Sequence, residues 1–406
     1  MIRGSKYGIA ILFVSLTILS VLFSTNVFSA RAGGNLKPVL IGILHNGNFP
    51  FASMMKDSFE MALEKINEEG GINGKPLKLL YTDDLGKPDE GERVVRQIVK
   101  KEGAAILVGG YSSSNTVYMA GMAEKLGMPF LITTAADDRI TQRKWKNVYR
   151  LNPPASGYTQ GLEDLFLNQI KPESMAIVYE NSPYGTGGAL RMMWFCREQG
   201  IEITKIIPYH RERLKKAYFN RILSPLSAGP PDVIYMVSYL KDAVTLVKTI
   251  RGLGIPSLLA GGAGGFTHPN FIPMAGKEGE RVITATLWFQ KASYSGIKKY
   301  FSEYKKRYGA APDYHAAEAY SALLVAADAL RRAKTLTPAD IRAALDETDL
   351  MTPFGPVKFA SFDKFQRQNV LPTQVLQVIE GKIRIIWPKE LATETFSPPP
   401  YWRGSK

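Results

Sequence analysis

From residue 38 onward, short β-branched and aliphatic runs alternate with segments whose apolar positions recur at helical spacing. No other feature restricts the fold as strongly. Residues 39–44, 77–81, 105–108 and 129–133 read as buried strands. Helical patterns lie between them at 53–67, 90–101 and 116–126; in the first, Met55, Phe59, Ala62, Leu63 and Ile66 share one face. Gly70-Gly71-Ile72-Asn73-Gly74 ends that helix with the left-handed turn glycine supplies. The alternation restarts with strands at 175–179, 203–207, 233–237, 258–260 and 282–285. A loop at 184–188 and helices at 189–199 and 241–253 fall between them. Such alternation predicts an α/β fold of parallel, doubly wound sheets. There are too many strands for one small sheet, and single cores stop growing near ~250–300 residues. Two doubly wound parallel-sheet domains are therefore expected, with a seam near 151–156.

The last quarter differs. Residues 297–308 and 316–334 read as helices. Thr337 and Pro338 are an N-cap and first helical residue for another. Residues 374–379 and 382–386 flank Glu380-Gly381, a two-residue hairpin signal. The tail 389–406, with Pro398-Pro399-Pro400, is expected to be disordered.

The first 32 residues stand apart. Arg3 and Lys6 precede the uncharged apolar run 8–23, and a short stretch of small and polar residues follows. This is the layout of a secretory signal peptide, cleaved after Ser29 or Ala32. The run is short for a spanning helix, which needs ~20 apolar residues; a retained anchor is the alternative. No Cys follows the run, so an N-terminal lipid thioether is excluded. The remainder is expected to be soluble and outside the cytoplasm.

Export narrows the chemistry. The single Cys196 permits no internal disulfide and sits in a helical segment, where it reads as a small apolar core residue. Net charge is +14, with Lys and Arg scattered over helical faces; this reads as solvated surface, with attraction to anionic solutes or membranes as the alternative. No nucleic-acid-binding motif occurs. The four histidines, His45, His210, His268 and His315, lack metal-ligand spacing. There is no phosphate loop, no Gly-x-Ser-x-Gly elbow, and Gly261–Gly265 lacks the third glycine of a dinucleotide fingerprint because Thr267 holds that place. The expectation is a protein with no catalytic residues, no metal and no cofactor.

One loop carries a positive signal. Gly109-Gly110-Tyr111-Ser112-Ser113-Ser114-Asn115 joins the carboxyl end of a strand to the start of a helix. Free N–H groups and hydroxyls converge there, and the helix dipole favours an anion. A ligand carboxylate suits it; a helix cap formed by Ser114 or Asn115 is the plain alternative.

The order of Gly70–Gly74, Asp83-Asp84, Gly109 to Ser113, Gly127-Met128-Pro129, Ile132-Thr133, Tyr184-Gly185 and Tyr314 with Ala319-Tyr320 resembles the type I periplasmic solute-binding proteins, leucine/isoleucine/valine-binding group. The resemblance runs from about 38 to 386. It implies two α/β domains joined by three hinge crossovers, closing on a ligand for an ABC importer. It implies a first domain of 38–153 plus 287–360 and a second of 154–286 plus 361–388. It implies that Ser113, with Ser114 beside it, holds the ligand carboxylate and that the Ala135 backbone contacts the ligand. Asp137 stands where amino-acid binders often carry Thr near the α-ammonium. Tyr184 and Tyr239 match aromatics of the second domain, Phe51 an aromatic near the ligand side chain, and His315 falls near another pocket aromatic.

One departure bears on the ligand. The family's acidic partner for the ammonium aligns with Gly264, and a buried ammonium without a counter-charge is costly. Either Asp137 supplies the charge, or the ligand has no ammonium. The expected function is capture of a branched-chain or other hydrophobic amino acid; the alternatives are an aromatic or short carboxylic acid or small amide, or a ligand-sensing module for a receptor. Tyr111, Phe266 and Trp288 are further aromatic pocket candidates. The expected partners are the small ligand and an ABC permease, the location the periplasm, and the protein a monomer.

Overall fold

Among the described residues the chain forms two seven-stranded sheets, whose central strands are unbroken apolar runs buried on both faces, and one two-stranded sheet. The structure is a computed structural model that describes residues 36–49, 51–210, 215–290, 292 and 294–402. The leader read at 1–32 lies outside the described residues.

The first lobe opens with β1 (Val39–His45), β2 (Leu77–Asp83), β3 (Ile106–Gly109), β4 (Phe130–Ile132) and β5 (Val148–Arg150). The second opens with β6 (Ser174–Glu180), β7 (Glu202–Tyr209), β8 (Val233–Val237), β9 (Leu258–Gly261) and β10 (Ile283–Thr286). Two hairpins follow, β11 (Asp349–Thr352) with β12 (Gly355–Lys358), and β13 (Ala360–Phe362) with β14 (Phe365–Gln368). A third hairpin, β15 (Gln374–Ile379) with β16 (Lys382–Trp387), closes the chain's regular structure. The sheet orders are β13-β14-β5-β4-β3-β1-β2 and β16-β15-β10-β9-β8-β6-β7. Pairing is parallel from β2 through β14 and from β7 through β10, and antiparallel at the outer hairpins. β3, β4, β8, β9 and β10 are buried throughout, whereas the edge strand β7 is largely open on its polar positions.

Every strand expected from the apolar runs is present, with ends shifted by at most two residues. Three sequence readings are corrected. The helix expected from 116 begins at Ser113, and the loop expected at 184–188 is the first turn of the helix Pro183–Gln199. Pro183 takes the first helical position, and the Ser182 hydroxyl accepts from the Gly185 N–H, which starts the helix earlier than the glycines suggest. The crossing expected at 360 falls later, because β13 and β14 pair with the first sheet through Gln368 and Arg150. The chain therefore passes between the two large sheets at 151–173, 287–359 and 369–373, with β11 and β12 pairing as a small sheet of their own inside the second passage.

The tail expected to be disordered is anchored as far as it is described. Gln377 exchanges two hydrogen bonds with Ser397, at 2.8 and 2.9 Å. The Trp402 indole donates to the Asp232 carbonyl at 2.8 Å, and Arg251 lies over the Tyr401 ring at 4.9 Å. Two tryptophan- and tyrosine-bearing positions so close to the end outweigh the Pro-rich composition. Cys196 is a free, buried core residue.

Candidate functional site

Both parallel sheets send their carboxyl-end loops into the space between the lobes, the position where open α/β sheets bind ligands. From the first lobe come Gly110-Tyr111-Ser112 after β3, and Thr133 to Asp137 after β4. From the second come Tyr184 on helix Pro183–Gln199, Tyr239 after β8 and Gly262–Gly265 after β9. Gly109 makes the first turn possible: its φ is +129°, and a Cβ there would meet the Leu44 carbonyl oxygen at 2.2 Å.

These loops enclose a cavity of about 20 Å³, the space of a single water. Its wall is Tyr111, Ser113, Thr134, Ala136, Tyr158, Tyr184, Tyr239, Gly264, Tyr314 and His315. The lobes touch around it. Phe51 of the first meets His268 of the second with ring centroids 4.6 Å apart, and Tyr111 meets Tyr239 at 6.5 Å. The lobes are together in this structure, and a ligand larger than water needs more room than the cavity gives.

Ser113 is the first residue of helix Ser113–Lys125 and is buried. Its Oγ accepts from the Ala136 and Asp137 N–H groups, both at 3.0 Å. With its acceptor sites taken, the hydroxyl hydrogen is what it offers the cavity. The Tyr184 hydroxyl donates to the Gly262 carbonyl at 3.1 Å, and its ring lies 5.3 Å from that of Tyr239. Burial pushes the phenols of Tyr158, Tyr184 and Tyr314 well above the ordinary tyrosine range, so they are neutral hydrogen-bonding groups at neutral pH.

His315 is held on three sides. Phe51 and Tyr314 stack on its two faces, with centroids at 3.7 and 3.8 Å and 27° between planes. Its Nδ1 lies 2.7 Å from the Asp313 carboxylate, and both side chains are 3% exposed. Asp313 also caps helix Tyr314–Arg332 by accepting from the Ala316 N–H at 3.1 Å.

Of the residues expected to form the site, Ser113, Tyr184, Tyr239 and His315 line the one cavity, and Phe51 backs it through His315. The others are elsewhere. Ser114 is exposed on the outer face of its helix. The Ala135 N–H donates to Gly110 and its carbonyl accepts from Arg150, so Ala136 lines the cavity in its place. The Asp137 carboxylate is held by the Arg139 guanidinium at 2.7 Å and faces an outer cavity of about 620 Å³ beside Ser182 and Trp194. Gly264 has φ +57°, and a Cβ there would meet the Tyr184 hydroxyl at 2.3 Å. Phe266 packs in the second lobe's core, and Trp288 borders a separate cavity, with its indole N–H donating to the Pro353 carbonyl.

Sequence reasoning missed Thr134, Ala136, Tyr158, Tyr314 and Asp313 as site residues. Asp313 was legible as an N-cap before a helical run, but its contact with His315 two residues on depends on rotamers. Among the described residues, no group of three or more His, Cys, Asp or Glu side chains could hold a metal ion.

A family model described as periplasmic binding protein matches residues 41–382. A Brucella melitensis protein named Leu/Ile/Val-binding protein homolog 7 is 27% identical over 387 residues, covering 90% of this chain and 94% of its own. A Pseudomonas aeruginosa leucine-, isoleucine-, valine-, threonine-, and alanine-binding protein is 23% identical over 338 residues, covering 81% and 87%. The isoleucine complex of the Streptococcus pneumoniae branched-chain amino acid transporter substrate binding protein superposes with a TM-score of 0.77 at 20% identity, covering 87% and 100%. At that identity, the likeness establishes the shared fold.

Proposed function

This chain belongs to the periplasmic binding protein family, and from that premise we propose that it captures a hydrophobic amino acid between its lobes and delivers it to an ABC importer. The carrying observation is the tyrosine-lined cavity at the carboxyl ends of both sheets, with the buried Ser113 hydroxyl at a helix start. The helix N-terminus and that hydroxyl suit a carboxylate. The aromatic walls suit an apolar body. The names of the Brucella and Pseudomonas relatives support the amino-acid class. Ligand favours the closed form, and the closed form is the one the permease engages. The leader read at 1–32 supports a periplasmic location.

A second reading has its own observation. Neither counter-charge expected for an ammonium faces the cavity: Gly264 has no side chain, and Asp137 is bound to Arg139. An aromatic or short carboxylic acid, or a small amide, needs no such charge.

A thermal-shift panel of amino acids, aromatic acids, short acids and amides separates the two. A ligand at a hundred times its Kd adds ~2.7 kcal/mol to the native state. Stabilisation by leucine, isoleucine or valine is expected. Stabilisation only by acids lacking an amine supports the second reading, and no shift with any member overturns both.

A further inference from the structure

We propose that the buried Asp313–His315 pair supplies the counter-charge for the ligand's ammonium group. This rests on the amino-acid reading above and deepens it. An ammonium enclosed in the cavity needs an acceptor with negative charge behind it. The position that aligns with the family's acidic residue is Gly264, which has no side chain, and the Asp137 carboxylate is bound to Arg139.

Three other carboxyl groups stand one hydrogen bond behind the wall. Asp242 accepts from the Tyr239 N–H at 3.4 Å and the Tyr209 hydroxyl at 2.6 Å, and is engaged in the cap of helix Leu240–Gly252. The other two come from the first turns of helix Tyr314–Arg332 and its cap. Glu318 accepts from the Thr134 hydroxyl at 2.8 Å, and burial drives it toward the protonated form, so it brings no charge. Asp313 is the other. Its Oδ1 accepts from the Ala316 N–H, and its Oδ2 lies 2.7 Å from His315 Nδ1.

That contact fixes the imidazole. With Nδ1–H donating to Asp313, the neutral ring carries a lone pair on Nε2. Phe51 and Tyr314 stack on the ring, His315 lines the cavity, and Asp313 takes Nδ1, so Nε2 is the ring nitrogen left to receive a ligand. The carboxylate behind the ring strengthens Nε2 as an acceptor. The wall around it carries no Lys or Arg, and its tyrosine faces favour a cation. The ammonium then meets an imidazole nitrogen backed by a carboxylate, while the ligand carboxylate meets Ser113.

The test is calorimetric titration of the purified protein with leucine and with 4-methylpentanoate, its counterpart without the amine. Wild type is compared with Asp313→Asn, which keeps the cap on Ala316, and His315→Phe, which keeps the stack. Both substitutions are expected to weaken leucine by about tenfold to a hundredfold and to leave 4-methylpentanoate within about threefold. Melting temperatures report whether each variant folds. An equal loss for both ligands, or no loss for leucine, in either folded variant overturns the inference and leaves amino-acid capture standing. Failure of wild type to bind leucine or any other hydrophobic amino acid overturns that reading as well.

Discussion

Phe51 of the first lobe and His268 of the second lie with ring centroids 4.6 Å apart where the two lobes meet. Phe51 is 1% exposed and His268 5%, so the contact is dry and exists only while the lobes are together. An aromatic pair contributes ~0.5–1.5 kcal/mol beyond its area. His268→Ala is expected to shift the ligand-free protein toward the open form and to weaken any ligand about threefold to tenfold. Small-angle scattering and calorimetry on the same sample check both. Unchanged affinity with an unchanged radius of gyration refutes a closing role.

Ser113→Ala removes the hydroxyl offered to the cavity and leaves the Ala136 and Asp137 N–H groups without their acceptor. A carboxylate ligand is expected to lose ~1–3 kcal/mol of affinity. The melting temperature should fall as well. An affinity equal to wild type by calorimetry removes Ser113 from ligand recognition.

Glu318 gives a stability prediction with a defined sign. Burial raises its carboxyl well above the ordinary value, and its Oε1 has no hydrogen-bond partner among the described residues. The folded protein therefore holds a proton that the unfolded chain has released above ~4.3. Its stabilising contribution is complete below that pH and declines as pH rises toward the folded value, by up to ~1.4 kcal/mol per unit. Glu318→Gln keeps an acceptor for Thr134 and removes this slope. The variant is expected to be more stable than wild type near pH 7 and no more stable near pH 4. Urea unfolding at the two pH values decides it.

Arg150 is fully buried, and burial lowers its pKa to about 10. It donates to the Gln368 side chain at 2.7 Å, the Asp137 carbonyl at 2.7 Å and the Thr141 hydroxyl at 2.8 Å. Arg150→Met strands those acceptors and is expected to cost ~3 kcal/mol or more in chemical denaturation. Because Gln368 leads into the third crossing, the loss should be coupled to Gln368→Ala by at least ~1 kcal/mol in a double-mutant cycle.

The sheets were legible because parallel strands buried on both faces must be continuous apolar runs, as at Val233–Val237. β5 escaped notice since three residues, Val148-Tyr149-Arg150, carry no period. The tail was misread because composition weighs Pro398-Pro399-Pro400 but not where the Trp402 indole lands. Within the site, Ser113 and Tyr184 were found through their loops, which sequence order places at strand ends. Asp137 pairs with Arg139 two residues on, and spacing does not say which way such a pair faces. Tyr158 and Thr134 belong to the seam and a strand end, where residue type alone marks nothing.

The polar groups that would fix the ligand's two ends, Ser113 and His315, both belong to the first lobe, while Tyr184, Tyr239 and Gly264 of the second complete the wall. On the proposed reading, discrimination and retention fall to different halves of the molecule. The first half can weigh a candidate while the cleft stands open and exchange is fast. The second sets how long an accepted molecule stays. Changes around Ser113 and His315 should alter which compounds are admitted, and changes around Tyr239 should alter residence time with little change in preference.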